Sequence, residues 1–317
     1  MIKVVTLVGV YVHVPFCVRK CDYCAFYSLP LQGDVVKEYL DSIKKEIFLR
    51  TQGEPWEATT LFLGGGTPTS LSEEYLDFLL STLNEGFIFS KDGERTVEAN
   101  PGTLTEKKLN ILVNHGINRI SLGVQSFNDQ MLRGIGRIHS TQDIYDSVKS
   151  IRKVGFDNLN LDLIFGLPGQ TVEDWEDTLE KALNLRPEHI SIYGLMVEEG
   201  TPLALNEQQI AQLPDDDLQA EMYHRGREIL CNGGYNHYET SNYALPGYEC
   251  QHNLGYWQGK DYLGLGPSAV SCLKNHRFKN LEDLSSYNKN LAVSQFPVDK
   301  EEDEILEKAL YYGIEAL

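Results

Sequence analysis

Short apolar runs recur along the first two-thirds of the chain, at residues 8–16, 59–63, 96–99, 119–124, 159–165 and 189–195. Each is too short for a helix and rich in β-branched residues, which predicts buried strands. The stretches between them carry apolar positions at helical spacing. Residues 35–50 place Val36, Tyr39, Leu40, Ile43, Ile47 and Phe48 on one face, and residues 73–83, 106–114, 142–154 and 173–185 repeat the pattern. Alternating strands and helices imply parallel strands joined by right-handed crossovers. The expected fold class is α/β: a partial (β/α)6, TIM-like barrel over residues 1–205.

Past residue 196 the pattern changes. Residues 213–230 read as one more helix, with Asp215, Asp216 and Asp217 at its start, where the helix dipole favours negative charge. Residues 238–247, 250–257 and 261–270 are dense in glycine, proline and aromatics, and predict ligand-covering loops with small strands. This gives an α+β extension or cap over residues 206–298. Residues 301–317 read as the first helix of a small helical domain beginning at 299, in a chain that is either naturally short or cut there. No internal repeat or low-complexity segment interrupts the pattern.

The six predicted strands share a further property: each runs into glycine, proline or a charged group. Examples are Gly64-Gly-Gly-Thr-Pro68, Glu98-Ala-Asn-Pro101, Gly123-Val-Gln-Ser-Phe127, and Asp162 leading to Gly166-Leu-Pro-Gly169. One such ending has an ordinary reading as turn chemistry or a helix cap, and Thr171 before Glu173 and Asp174 reads as a cap. A whole set on one rim points to the C-terminal face of a β/α barrel, where active sites are built.

Six cysteines are present, three of them in the run Tyr11-Val-His-Val-Pro-Phe-Cys-Val-Arg-Lys-Cys-Asp-Tyr-Cys24. Cys17, Cys21 and Cys24 have the spacing C-x3-C-x2-C. A cubane cluster has four irons, each wanting a ligand, so three thiolates leave one coordination position open. A disulfide would leave one thiol over, and zinc ordinarily takes a fourth Cys or His at ligand spacing. Charge narrows the partners: 28 Lys and Arg against 46 Asp and Glu give −18, and no basic run offers a phosphate footprint. The sequence holds no apolar run long enough for a transmembrane helix and no signal-peptide pattern at its start, and its cysteine use suits a reducing cytosol, so a cytoplasmic protein is expected.

The cysteine motif resembles that of the radical S-adenosylmethionine (SAM) enzymes. Tyr-Val-His-Val-Pro-Phe-Cys, Gly-Gly-Gly-Thr-Pro-Thr, Val-Glu-Ala-Asn-Pro, Ile-Ser-Leu-Gly-Val-Gln-Ser-Phe, Asn-Leu-Asp-Leu-Ile-Phe-Gly-Leu-Pro-Gly-Gln and Gly-Leu-Gly-Pro-Ser-Ala together are similar to the coproporphyrinogen dehydrogenase (HemN) and HemW group, over roughly residues 8–275. The resemblance implies a radical SAM barrel in which Cys17, Cys21 and Cys24 ligate a 4Fe-4S cluster whose open iron takes SAM. It places Tyr11 beside the SAM site and Gly65, Gly66 and Thr67 at the methionine end of SAM. Glu98, Gln125, Arg137 and Asp162 fall on SAM-contacting positions, with Arg137 toward the methionine carboxylate and Asp162 toward the ribose. Met196 and Val270 match positions whose backbone meets adenine.

Two departures separate the branches of that group. The dehydrogenases carry a further cysteine two positions after the third, where this chain has Phe26, and a long extension before the first strand. Both favour the HemW-like branch, described as haem-binding chaperones that deliver haem to cytochromes. His252-Asn-Leu-Gly-Tyr256-Trp257 resembles the H-N-x-x-Y-W motif of that branch, linked there to haem binding. Imidazole is a common axial ligand of haem iron, while a structural histidine packed on two aromatics is the plainer reading. A metal site formed by Cys250 and His252 is a weaker one. The resemblance thus implies haem or a porphyrin as cargo, a haem-accepting protein such as a respiratory cytochrome, and an electron donor it leaves unnamed. The other implied activities are oxygen-independent coproporphyrinogen III oxidation and radical opening of the haem ring.

Overall fold

The structure is a computed structural model that describes residues 7–53, 55–295 and 298–305. In chain order the strands are β1 (Leu7–Val14), β2 (Phe16–Cys17), β3 (Leu29–Pro30), β4 (Trp56–Gly65), β5 (Phe87–Ala99), β6 (Arg119–Gln125), β7 (Leu159–Phe165), β8 (His189–Gly194), β9 (Asn236–His237), β10 (Asn242–Ala244), β11 (Tyr262–Leu265), β12 (Val270–Leu273), β13 (His276–Asn280) and β14 (Val298–Ile305). The helices are α1 (Gly33–Thr51), α2 (Glu73–Gly86), α3 (Glu106–Asn114), α4 (Asp129–Gly134), α5 (Thr141–Val154), α6 (Val172–Asn184), α7 (Glu207–Ile210), α8 (Asp216–Asn232), α9 (Gln251–Trp257) and α10 (Leu284–Ala292).

Strands β1, β4, β5, β6, β7 and β8 lie side by side and parallel, and no pairing among the described residues closes them into a ring. The six predicted strands are these six, and the α/β expectation holds. In β1, Val8, Val10, Val12 and Val14 are buried in the main core, while the alternate positions Gly9, Tyr11 and His13 face cavities inside the sheet's curve. Capping chemistry starts the crossover helices: Ser140 with Asp143 and Thr171 with Asp174 form capping boxes on α5 and α6.

The later residues are built into both edges of the same sheet. Beyond β1 come β11, parallel to it, then β12, β13 and β14; beyond β8 come β10 and β9. Three expectations are corrected. Residues 250–257 form a helix, α9, rather than a loop. Residues 301–305, expected in a helix, belong to β14 and pair antiparallel with β13, because the open edge of β13 offers backbone partners that override local helix propensity; residues 306–317 of that expected helix lie outside the described residues. On α1, Phe48 is exposed, whereas Glu46, a polar position, is fully buried. The face that includes Tyr39, Ile43 and Ile47 also contains position 46, and the tertiary contacts there supply hydrogen-bond donors to its carboxylate.

Candidate cluster and cofactor cavity

The loop after β1 carries all three motif cysteines. Pairing of β2 with β3 closes its base, at Phe16 with Leu29 and Cys17 with Pro30. Its far side is pinned where the Asp22 amide donates to the Ile135 carbonyl (3.1 Å) and the Asp22 carbonyl accepts from Leu203 (2.8 Å). Gly136, at φ 76°, passes Asp22 so closely that a Cβ there would stand 2.5 Å from its carboxylate oxygen.

The pinned loop brings Cys17, Cys21 and Cys24 to the mouth of a cavity of about 460 Å³ at the C-terminal strand ends. A chain of side chains ties the mouth together. The Thr67 hydroxyl lies 3.6 Å from Cys17 Sγ and accepts from Asn100 Nδ2 at 2.8 Å. Arg137 donates to Asn100 Oδ1 (2.6 Å) and to the Gly123 carbonyl (2.5 Å), and its other terminal nitrogen stands 3.5 Å from Cys21 Sγ. Burial works against the charge of Arg137, but Tyr23 and Cys21 hold its pKa above the usual arginine value. Burial raises the Cys17 and Cys24 thiols; a bound cation reverses that tendency.

The donor set fits a 4Fe-4S cluster. Three thiols border one opening, and no fourth cysteine lines the cavity. Phe26, 70% exposed, lies on the cavity wall beside the triad.

Deeper in the cavity stand two half-buried carboxyls. Glu98 accepts from the Gly65 amide at 3.2 Å, and burial together with Asp162 pushes its pKa to about 8. Asp162 is raised by burial and held by donors: Ser121 Oγ at 2.9 Å and Asn160 Nδ2 at 2.8 Å. Asn160 is itself fixed by His189 Nδ1 at 2.6 Å and Ser191 at 3.1 Å. Gln125 has φ 66°, strained for a non-glycine residue, at the point where the β6–β7 register shifts between Gly123 and Gln125. The buried side chain lines the cavity there. A cation bound beside Glu98 and Asp162 would favour the ionised form of both carboxyls.

The sign of the Glu98 shift gives an expected pH dependence. The folded state keeps the Glu98 proton up to about pH 8, whereas the unfolded chain releases it near 4.5. Stability without ligand therefore falls as pH rises from about 5 to 8, by at most about 1.4 kcal/mol per pH unit from this group. Glu98→Gln is expected to flatten the fall when melting temperatures are compared across that range; an unchanged slope would contradict the assignment.

The cavity thus gathers Cys17, Cys21 and Cys24, then Gly65, Gly66 and Thr67, then Glu98, Gln125, Arg137 and Asp162, with exposed Met196 at its wall. Tyr11 and Val270 are elsewhere. They line an adjoining chamber of about 470 Å³ that shares Phe26, Gly65 and Glu98 with the first. His252 and Tyr256 are on α9, at a third cavity of about 410 Å³ near the start of β1 and β4; half-buried Trp257 follows them on the helix but lines none of the three cavities. Glu94 seats α9 by accepting from the Gln251 and His252 amides at 2.9 and 3.1 Å, and Cys250 Sγ lies 3.3 Å from it. Cys250 and His252 turn to different partners, so the paired-metal reading finds no support in the geometry.

Asn100, Ser121 and Asn160 were not singled out from sequence. Asn100 was within reach, since it sits inside the Glu98-Ala-Asn-Pro101 rim segment. Asn160 was not, because a polar residue within an apolar strand reveals its role only once β6 and β8 flank it.

The family model described as "Radical SAM superfamily" matches residues 11–182. The chain is 41% identical to "Heme chaperone HemW" of Lactococcus lactis, over 88% of this chain and 73% of that protein. It is 39% identical to "Heme chaperone HemW" of Bacillus subtilis, over 96% and 82%, and 40% identical to its Escherichia coli namesake, over 85% and 71%. Among solved structures, coproporphyrinogen III oxidase (HemN) from Escherichia coli, described as a radical SAM enzyme, superposes with a TM-score of 0.80 at 27% identity, covering 92% of this chain and 70% of that one.

Proposed function

We propose that this chain, which belongs to the radical SAM superfamily and within it to the family of the heme chaperones HemW, binds a 4Fe-4S cluster and SAM, takes up haem and delivers it to haem proteins. The observation that carries the reading is the identity of 35–41% to several proteins named heme chaperone HemW, spanning most of the chain. The cavity supports it with a cysteine triad and an intact interior of both charge signs.

In this proposal Cys17, Cys21 and Cys24 hold the cluster, which when bound supplies an iron coordination position and a transferable electron. The chain's own residues do the rest. Arg137 is oriented by Asn100 and the Gly123 carbonyl to pair with a carboxylate. Gly65, Gly66 and Thr67 present polar backbone groups at the end of β4, and Gly66, whose amide donates to the Val14 carbonyl, holds β4 against β1. Asp162, fixed by Ser121 and Asn160, is placed to accept from a sugar hydroxyl. Glu98 gives up its proton when a cation enters beside it, so SAM affinity is expected to rise with pH toward about 8. Gln125 and Met196 complete the adenosine side, while Tyr11 and Val270 line the adjoining chamber. A haem-accepting protein is the receiving partner and the cytoplasm the site of action; no helix among the described residues is long and apolar enough to cross a membrane.

The likeness to coproporphyrinogen III oxidase favours a second reading, oxidative decarboxylation of coproporphyrinogen III. One anaerobic preparation separates the two: it is expected to bind haem stoichiometrically and to form no protoporphyrinogen from coproporphyrinogen with SAM and reductant. Turnover without haem binding would reverse the assignment.

A further inference from the structure

We propose that Tyr256, rather than His252, is the residue that binds the iron of the haem cargo, with His252 holding the Tyr256 hydroxyl in position. This rests on the haem-binding reading above and adds the ligand atom.

His252 is poorly placed to meet a metal. It is 3% exposed, its ring stacks on Phe62 at 5.3 Å, and both ring nitrogens are engaged. Thr60 Oγ1 lies 2.8 Å from Nδ1, and the Tyr256 hydroxyl lies 2.8 Å from Nε2. Gly9 makes room for this arrangement, since a Cβ there would stand 3.1 Å from Thr60 Oγ1 and 3.6 Å from the imidazole. An iron atom could reach a ring nitrogen of His252 only by displacing the Tyr256 or Thr60 hydroxyl bonded to it.

Tyr256 has what His252 lacks. It is 40% exposed and borders both the cavity under α9 and the aromatic chamber that adjoins the cluster cavity. Tyr11, Phe26, Tyr27 and Tyr262 also line that chamber, whose volume of about 470 Å³ falls within the usual range for ligand cavities. Aromatic faces suit a flat macrocycle. Other candidate ligands are committed elsewhere. His13 is buried with both nitrogens bonded, to Tyr11 and to the Tyr27 carbonyl. The Tyr262 hydroxyl is tied to Arg277, and Cys250 is fully buried against Glu94.

Tyrosine is an established ligand of ferric haem. On binding, the phenolic O–H bond breaks and an Fe–O bond forms. The phenolic proton passes to Nε2 of His252, the Nδ1 proton leaves to water, and the Thr60 hydroxyl turns to donate to Nδ1. One proton is released and the iron keeps its oxidation state. His252 then donates to the bound phenolate oxygen, which weakens the Fe–O bond and makes it one a carrier can release.

Hemin titrated anaerobically into the cluster-loaded full chain tests this. The wild type is expected to show the phenolate-to-iron charge-transfer absorption and tyrosinate vibrations in resonance Raman. Tyr256→Phe should lose both and bind hemin at least tenfold more weakly, while keeping the cluster's absorbance as a check on folding. His252→Ala should retain a shifted phenolate signature, and Tyr11→Phe should keep the phenolate signature whatever it does to affinity. A signature that survives in Tyr256→Phe, vanishes in Tyr11→Phe, or is imidazole-like in the wild type overturns the ligand assignment and leaves the haem reading standing. A wild type that binds no hemin refutes the haem reading, and the assignment with it.

Discussion

Replacing any one of Cys17, Cys21 or Cys24 by alanine is expected to remove nearly all the visible absorbance of the reconstituted iron–sulfur cluster, with iron and sulfide lost in parallel. The three thiols are the cavity's whole cysteine complement, so no neighbour can substitute. The loop carrying them is held by backbone contacts from Ile135 and Leu203 that the substitutions leave untouched. Melting of the apo-protein should therefore change little; surface or half-buried substitutions away from core packing usually stay within about 0.5 kcal/mol. Full iron and sulfide retained in the triple variant would sink the assignment. The same geometry predicts a milder effect for Asn100→Ala, which frees Arg137 and Thr67 without removing a ligand: weaker SAM binding with the cluster intact.

The largest stability effect is expected at Glu46, outside the cavity. Its Oε1 accepts from Arg50 (3.1 Å) and Asn280 Nδ2 (2.9 Å), and its Oε2 from the Gly266 amide (2.9 Å) and the Tyr287 hydroxyl (2.6 Å). One fully buried carboxylate thus joins α1 to β13, to α10 and to the turn after β11. Glu46→Ala would leave Arg50 and several donors without their shared acceptor. Breaking a buried pair in this way costs about 3–5 kcal/mol. Urea unfolding followed by intrinsic tryptophan fluorescence, to which fully buried Trp175 contributes, at fixed cluster loading, should report that loss, with Glu46→Gln intermediate. A change under about 1 kcal/mol would show that the network does not hold the later strands to the barrel.

How far the chain could be read from its residues is visible in these two cases. The cysteine triad was legible because its information is local: three thiols of fixed spacing in one loop. The six parallel strands were legible for a similar reason, since strands buried on both faces leave near-continuous apolar runs. Glu46 was not. Helical periodicity put Phe48 on the buried face and passed over a charge, because the donors that satisfy the charge arrive from residues 266, 280 and 287, more than two hundred positions away. The H-N-x-x-Y-W segment was recognised as a motif but placed in a loop. Glu94, distant in sequence, makes it a helix by capping its first amides.

By itself the sequence determined the alternation of strands and helices, the spacing of the cysteine triad in one loop, and the rim segments that carry Glu98, Gln125 and Asp162. Each of these depends on short-range spacing or on burial that repeats along one element. Only the tertiary structure decided the rest. It split the expected SAM residues between one cavity and an adjoining chamber, and it used the later residues to extend both edges of one sheet. It also buried His252 behind Tyr256. Those outcomes depend on which distant groups meet and satisfy one another's hydrogen bonds in a water-poor interior, and no local pattern encodes that.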